Sequence, residues 1–264
     1  MKVATENRLS EIINYLAQDI AHCLYMYIDI SKYGLSSNPN MTVWYDTYED
    51  ELNLVVMKYH DSIRIYTRSN VWDVDGVKDI ISNEKVLMVS GRLDLIELIY
   101  TLCNDNYEIT SGYVYRLENY KIFDDIGLIE VAQESDMLEI AELICSDVEI
   151  GGHYHVSDLA NQLLERMRTG MGRNLIIRDN GKIIAHIATY AEYNNIAITS
   201  GLIVHPDFRK FPYGTLLESR LVHILQNEGM KVFTFVNKRN RAKLLDAMGN
   251  TMCGMYGKLV LKNA

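Results

Sequence analysis

A basic loop between two regular segments is the part of this sequence with the clearest chemical potential. The stretch "VHPDFRKFPYG" places Arg209 and Lys210 between two prolines, after an apolar run that ends at Val204. Leucines and isoleucine at helical spacing then continue from Gly214 to Glu228, so the pattern predicts a strand, a turn and a helix. The first amides of a helix lack intrahelical acceptors, and the helix dipole adds partial positive charge there. The loop therefore predicts an anion site, although an ordinary strand-to-helix turn has the same spacing.

The register of this loop resembles the cofactor loop of the GNAT superfamily of acyl-CoA N-acyltransferases. In that family the fourth strand is followed by Arg or Gln, two residues, Gly, one residue, and Gly or Ala. Arg209 and Gly214 match this pattern, and Pro212 replaces the first glycine. The predicted elements from Gly127 to Lys262 are also similar in order to those of the family. "CLYMYIDISKYG" and "VWYDT" in the first half resemble a bacterial group in which a degenerate GNAT-like domain precedes the GNAT domain.

The resemblance implies that acetyl-CoA, or another acyl-CoA, is the co-substrate, without a metal. Backbone amides of the loop would hold the pyrophosphate, and the backbone of the preceding strand would pair with the pantetheine. The side chains of that strand are expected in the core. The implied cofactor contacts are Leu202, Ile203, Val204, Arg209, Phe211, Tyr213, Gly214, Thr215, Asn237 and Asn240. The two asparagines only flank the position of a CoA-contacting Asn in the family.

The chemistry implied by the resemblance is direct attack of an amine on the activated acyl group. A carboxylate that takes the amine proton contributes about 10²–10⁴-fold. Glu192 in "TYAEY" is the candidate base, and a solvated hairpin glutamate is the alternative. Many family members have a Tyr that protonates the leaving thiolate, but Leu245 occupies that position. Tyr256 is the candidate substitute.

The segment "GGHYHVSD" falls where GNAT proteins commonly build the acceptor pocket. Its histidines, His153 and His155, are therefore candidates for contact with the acceptor. Two histidines two residues apart are also compatible with a metal, but no acidic residue or cysteine follows at useful spacing. A plain loop remains an equal alternative to acceptor contact. We expect no metal site.

The order of predicted elements indicates an α/β protein with two halves. From Thr42 the first half predicts three strands, a helix, a strand, a helix and a strand, preceded by a helix with apolar residues from Leu9 to Ile28. The second half has a similar order of predicted elements, and Asn180-Gly181 predicts a hairpin. Regular alternation of strands and helices is missing, which argues against a Rossmann fold. We predict two GNAT-like domains, residues 1–125 (degenerate) and 126–264 (catalytic), each with a mixed, mostly antiparallel sheet flanked by helices.

The amino-acid composition argues against some classes of binding partner. The formal net charge of −9 and the absence of a basic stripe argue against nucleic acid, and we expect no membrane association. The four cysteines are far apart and no signal-peptide core is present, which favours a reducing, cytoplasmic location. The expected activity is transfer of an acetyl group to a primary amine on a small molecule or a protein. A non-catalytic acyl-CoA-binding or protein-interaction module is the alternative, and a monomer and a homodimer both remain open.

Overall fold

The computed structural model groups the residues into two compact units of strands and helices. It describes residues 1–84, 86–103, 106–119, 127–151 and 154–262. The first unit comprises Met1–Val114, Val236–Ala242 and Met252–Ala264, and the second comprises Tyr115–Phe235 and Lys243–Thr251. The predicted boundary between residues 125 and 126 lies outside the described residues and stays a prediction.

Among the described residues of the first unit, six strands lie side by side and one neighbouring pair of them is parallel. In spatial order the strands are β1 (Lys2–Val3), β2 (Met41–Tyr48), β3 (Glu51–Tyr59), β4 (Ser62–Thr67), β5 (Met88–Arg92) and β12 (Thr251–Leu261). The parallel pair is β4 with β5, and the other neighbours run antiparallel. The last strand of the chain therefore completes the unit that contains the first strands.

Helices cover both faces of the first unit. These helices are α1 (Leu9–Ala17), α2 (Ile20–Tyr33), α3 (Val74–Glu84) and α4 (Leu93–Cys103). One apolar cluster joins α1 and α2 to one face of the strands, and a second joins α3 and α4 to the other face. The single helix predicted from Leu9 to Ile28 is two helices, because Asp19 leaves the helical conformation with φ −149° and ψ 56°. The predicted apolar face nevertheless continues across the break, since Ile12 and Ile28 are both fully buried.

The second unit has the same plan of mixed strands and flanking helices. Its strands in spatial order are β11 (Lys231–Val236), β10 (Ile196–Val204), β9 (Lys182–Tyr193), β8 (Asn174–Asp179) and β7 (Ile129–Val131). Its helices are α5 (Met137–Cys145), α6 (Val148–Gly151), α7 (Val156–Arg168), α8 (Tyr213–Asn227) and α9 (Arg239–Ala247), of which α9 has residues in both units. Strand β6 (Tyr107–Leu117) begins in the first unit and ends in the second.

The sequence pattern of the second unit corresponds closely to its structure. Asn180 and Gly181 have φ of 47° and 80°, and they join β8 to β9 in the predicted hairpin. Helices α5 and α7 bury their apolar faces against side chains that include Ile176, Ile183 and Ile203. The predicted α/β fold class is confirmed, and in both units a four-residue parallel pairing is set among antiparallel strands.

Candidate functional site

Strands β10 and β11 pair for only four residues and then part. The parallel register runs from Ile196 opposite Lys231 to Thr199 opposite Thr234. Strand β10 continues to Val204 with β9 as its partner among the described pairings. We call the space beside the backbone of residues 200–204 the β10–β11 gap. A strand edge without a neighbour presents hydrogen-bonding groups to which an extended ligand can pair.

A bulge in β10 lies at the start of this gap. The β9–β10 register shifts between Ser200 and Ile203, and Gly201 has φ +65°, a conformation that L side chains rarely adopt. The Nδ1 atom of His186 lies 2.9 Å from the carbonyl oxygen of Gly201, and Nε2 lies 3.0 Å from Oδ1 of Asn174. His186 is fully buried, and burial lowers its pKa to about 4. Both ring nitrogens face oxygen atoms, and the neutral ring has one N–H, which reaches the Gly201 carbonyl when it is on Nδ1.

The amide end of α8 follows β10 through a compact turn. Residues Pro206–Phe208 form one turn of 3-10 helix, and the amide of Phe211 donates to the carbonyl of Phe208 at 3.0 Å. Pro212 is the N-cap, and its carbonyl accepts from Leu216. In the described part of the chain the first-turn amides of α8 have no backbone or side-chain acceptor; they belong to Tyr213, Gly214 and Thr215. Three of the four amides predicted to bind pyrophosphate are therefore available, and that of Phe211 is already used within the turn.

The side chain of Arg209 contacts both ends of the region around the turn between β10 and α8. Its Nε atom donates to the carbonyl of Val204 at 3.0 Å, and its Nη2 atom lies 2.9 Å from Oδ2 of Asp147. The guanidinium is half exposed, so part of it faces solvent. Arg209 thus joins the end of β10 to the residues between α5 and α6, and its predicted cofactor contact stays a prediction.

Gly214 packs against the side chains at the end of β10. A Cβ built on Gly214 would lie 3.5 Å from Cγ2 of Val204 and 3.7 Å from Cδ1 of Leu202, which are ordinary contact distances. Ile203 points to the opposite face, where it is buried against α5 and α7. The predicted core role of these strand side chains is thus seen most clearly for Ile203, and Leu202 and Val204 line the approach to α8.

Glu192 is held in an ion pair before the gap begins. It lies opposite Ala197, three residues before Ser200, or roughly 10 Å along the strand. Its buried carboxylate accepts from Nε of Arg173 at 3.0 Å, from Nη2 at 2.7 Å, and from the hydroxyl of Thr189. Arg173 also pairs with Glu228 at 2.6 Å. These contacts occupy the carboxylate oxygens, and the role of Glu192 as general base stays a prediction.

Tyr256, the predicted general acid, is a residue of the first unit, and so are the predicted cofactor contacts Asn237 and Asn240. Tyr256 lies in β12 opposite Arg92, and its ring packs so closely on Gly112 that a Cβ there would lie 2.7 Å from Cε1. Burial raises the pKa of Tyr256, so its phenol remains protonated at neutral pH. Asn237 and Asn240 are exposed beside and within the first turn of α9. The functions of all three stay predictions.

The two candidate acceptor histidines differ in what the structure describes. His153 lies outside the described residues. His155 is exposed at the N-cap of α7, where its carbonyl accepts from Leu159 and its side chain makes no capping bond. In the described ranges no group of three or more His, Cys, Asp or Glu side chains is arranged to hold a metal ion.

Sequence reasoning did not assign the supporting residues of the bulge. A histidine within a strand pattern, such as His186, is compatible with a satisfied core residue, and its burial agrees with this, but its bond to Gly201 links it to the gap. The available signal was Gly201 itself, because a glycine inside a strand pattern often marks a bulge. No pattern in the sequence predicts that His186 is the residue that contacts this glycine.

The corresponding place in the first unit is closed. Strands β4 and β5 pair in parallel from Ser62 opposite Met88 to Ile65 opposite Gly91, as β10 and β11 do. There the guanidinium of Arg92 donates to the carbonyl of Thr67, the last residue of β4, at 3.3 Å. This contact occupies the strand edge that stays open in the second unit.

The comparisons with known proteins agree with this geometry. Residues 137–245 match the acetyltransferase (GNAT) family. No curated protein matches the chain. Most of the matched residues and the open strand edge lie in the second unit.

Similar solved structures extend over the whole chain. A Drosophila protein superposes with a TM-score of 0.68 at 14% identity, covering 100% of this chain and 99% of that chain. A GCN5-related N-acetyltransferase from Sphaerobacter thermophilus gives 0.63 at 11%, covering 98% and 93%. A tandem GNAT protein from the clavulanic acid biosynthesis pathway gives 0.60 at 12%, covering 98% and 96%. At these identities the likeness shows the fold, which is that of two GNAT-like domains. No helix in the described ranges is long and apolar enough to cross a membrane.

Proposed function

We propose that the chain is an N-acyltransferase that moves an acetyl group from acetyl-CoA to a primary amine. The observation that carries this proposal is the β10–β11 gap, which opens after Thr199 and Thr234 and leads to the free amides of α8. A pantetheine chain is extended and polar, and it would pair with residues 202–204 of β10 as a strand would. The pyrophosphate would then reach the amides of Tyr213, Gly214 and Thr215.

The reaction requires little from the protein beyond placement. The amine nitrogen attacks the thioester carbon, the new N–C bond forms, the C–S bond breaks, and the amine proton passes to water. Placement of two reactants in this way contributes roughly 7–11 kcal/mol in favourable cases. A backbone amide at the bulge around Gly201 would stabilise the oxyanion that forms during attack. The leaving thiolate has a pKa near that of a free thiol, ~8.5, so it can depart without a dedicated acid.

A single acyl-CoA site per chain is part of the proposal. The second unit offers an open strand edge, whereas Arg92 occupies the equivalent edge of the first. The acceptor is a small molecule or a protein with a primary amine, approached by residues such as His155. The proposed acyl donor is acetyl-CoA, because the matched family is named for acetyl transfer.

The test compares two substitutions of one residue at the amide end of α8. Thr215→Asp adds a negative charge that suits the helix dipole but repels pyrophosphate, and Thr215→Asn is its neutral match. Calorimetry should give one acetyl-CoA per wild-type chain, a loss of affinity of at least about tenfold for Asp, and little change for Asn. Thermal unfolding should show that both variants fold.

Activity is measured as CoA release with a panel of primary amines. Release that depends on an amine and falls in Thr215→Asp supports the proposal. Binding without release for any amine supports the alternative of a non-catalytic acyl-CoA-binding module. Two equal sites per chain, or equal affinity of the Asp and Asn variants, would contradict the assignment of the site.

A further inference from the structure

A cluster of charged side chains lies in the first unit, on strands β4, β5 and β12. Arg64 of β4 lies opposite Ser90 of β5, and Ser90 lies opposite Lys258 of β12. Directly opposite residues point to the same face of a sheet, and neighbouring strands lie about 4.8 Å apart. The two cationic side chains therefore stand on one face, with a short serine between them.

Helix α2 covers this pair. The guanidinium carbon of Arg64 lies 5.3 Å from the ring centre of Tyr25, and Nη1 lies 3.7 Å from Oδ2 of Asp29. On the other side Nζ of Lys258 lies 5.6 Å from the ring centre of Tyr256. Two tyrosine faces and one carboxylate thus surround two cations.

The charges of this cluster do not balance. Asp29 is the one carboxylate within salt-bridge distance of Arg64, and no carboxylate in the described ranges reaches Lys258. The Nη1 atom of Arg64 is inaccessible to solvent and has no hydrogen-bond acceptor. Arg92, which lies nearby on β5, is already neutralised by Asp94 at 2.6 Å and 2.7 Å.

Burial of two cations beside a single carboxylate is unfavourable unless something compensates for it. Desolvation, together with the charge of Arg64, lowers the pKa of Lys258. A negatively charged group placed above Ser90 would accept from both cations and would satisfy the buried Nη1 donor. Guanidinium binds the two oxygens of a carboxylate or phosphate in a fork, and an ammonium adds a third donor.

We propose that Arg64 and Lys258 form a binding site for a small oxyanion, a phosphate or carboxylate group, on the α2 face of the first unit. The site is independent of the acyl-CoA function proposed for the second unit, so either can fail without the other. It gives the first unit a ligand of its own, although its strand edge is closed to pantetheine.

The test is a titration of the full chain with inorganic phosphate and, separately, with acetate, followed by residue-resolved amide NMR. Saturable shifts should appear at Arg64, Ser90 and Lys258. Phosphate that also binds the amide end of α8 would shift signals of residues 213–215, so the two sites are read separately. Saturation by phosphate alone assigns the natural group as a phosphate ester, and saturation by acetate alone assigns it as a carboxylate.

Matched substitutions decide whether the cations are responsible. Arg64→Met and Lys258→Met should each raise the dissociation constant at this site by at least about tenfold. Lys58→Met is the control, because Lys58 lies on β3 of the same unit but is paired with Glu84. Arg64→Lys keeps the charge and should retain part of the binding if Arg64→Met does not fold. Shifts that do not saturate in the wild type, or an equal effect of Lys58→Met, would overturn the proposal.

Discussion

His186 Nδ1 lies 2.9 Å from the carbonyl oxygen of Gly201, and this contact joins the middle of one strand to the bulge of the next. The imidazole is fully buried, so the bond is shielded from water. The bulge marks the point where β10 continues without β11. A buried side chain thereby sets the conformation of backbone that the proposed acyl donor would touch.

The first prediction concerns pH and stability. The pKa of His186 is about 4 in the folded protein and about 6.5 in the unfolded chain. Between these values the unfolded chain binds a proton that the native state does not, so the free energy of unfolding should fall as pH drops from 6.5 to 4. One such group accounts for roughly 3 kcal/mol in total.

Urea unfolding at several pH values checks this contribution. His186→Gln can still donate to the Gly201 carbonyl but does not titrate, so its stability should depend less on pH. His155→Gln, at an exposed position, is the control and should follow the wild type. Parallel pH curves for the wild type and His186→Gln would show that His186 is not the titrating group.

The second prediction separates the bulge from general backbone strain. Gly201 and Gly181 both have positive φ, +65° and +80°. Alanine at either position should lower stability by about 1–2 kcal/mol. Only Gly201→Ala should weaken acetyl-CoA binding, because its Cβ would lie 3.2 Å from Cε1 of His186, whereas Gly181 has open space. Calorimetry and thermal unfolding on both variants test this, and equal affinities would remove the bulge from the site.

The third prediction assigns Glu192 to stability rather than to proton transfer. Its side chain is 5% exposed and bound by Arg173, while that of Glu228 is 45% exposed. Glu192→Gln should lower the free energy of unfolding by roughly 1–3 kcal/mol, and Glu228→Gln by at most about 1 kcal/mol. The pH–rate profile of amine acetylation should keep its shape in Glu192→Gln. A profile that loses its acidic limb, where protonation of a general base lowers the rate, would support the general-base hypothesis.

The fourth prediction concerns Pro212, which is the N-cap of α8 rather than its first residue. Proline offers no capping side chain, so the amides of Gly214 and Thr215 stay free for phosphate. Pro212→Ser would supply an oxygen that binds these amides, and it should weaken acetyl-CoA binding. Its stability should stay within about 1 kcal/mol of wild type, since the gained cap offsets the lost restriction of the unfolded chain.

Pro212→Gly is the comparison for this substitution. It has no side-chain acceptor, so acetyl-CoA affinity should stay within a factor of a few and stability should fall slightly. Calorimetry on the two variants distinguishes them. Tighter or equal binding by the serine variant would mean that the phosphates do not use these amides.

Local patterns predicted the elements of this protein better than its contacts. The Asn180-Gly181 turn and the helix after Gly214 depend on short-range preferences, and both were predicted to within a residue or two. The break at Asp19 was missed because the apolar spacing continues across it. A pattern of apolar residues at helical spacing does not predict that a single residue within it has a non-helical backbone conformation.

The sequence predicted the backbone groups of the candidate site. It did not predict the contacts that side chains make with residues distant in the sequence. The loop register identified the free amides of α8, because helix ends have them by construction. Glu192 was assigned by its position at a strand end, but its occupation by Arg173 depends on a residue 19 positions away. The bond from His186 to Gly201 and the closure of the first unit by Arg92 depend equally on partners that the sequence does not link.

The position of β12 in the first unit has a consequence for synthesis of the chain. Strand β5 ends at Arg92, and its partner Tyr256 is made on the order of 160 residues later. At about 5–20 residues per second the ribosome needs roughly 8–30 s to supply it. During that interval the edge of β5 that pairs with β12 has no partner strand, although β1 to β5 can already pair with one another. The unit that emerges first is therefore completed last, and a fragment that stops at residue 125 would retain that unfinished edge permanently.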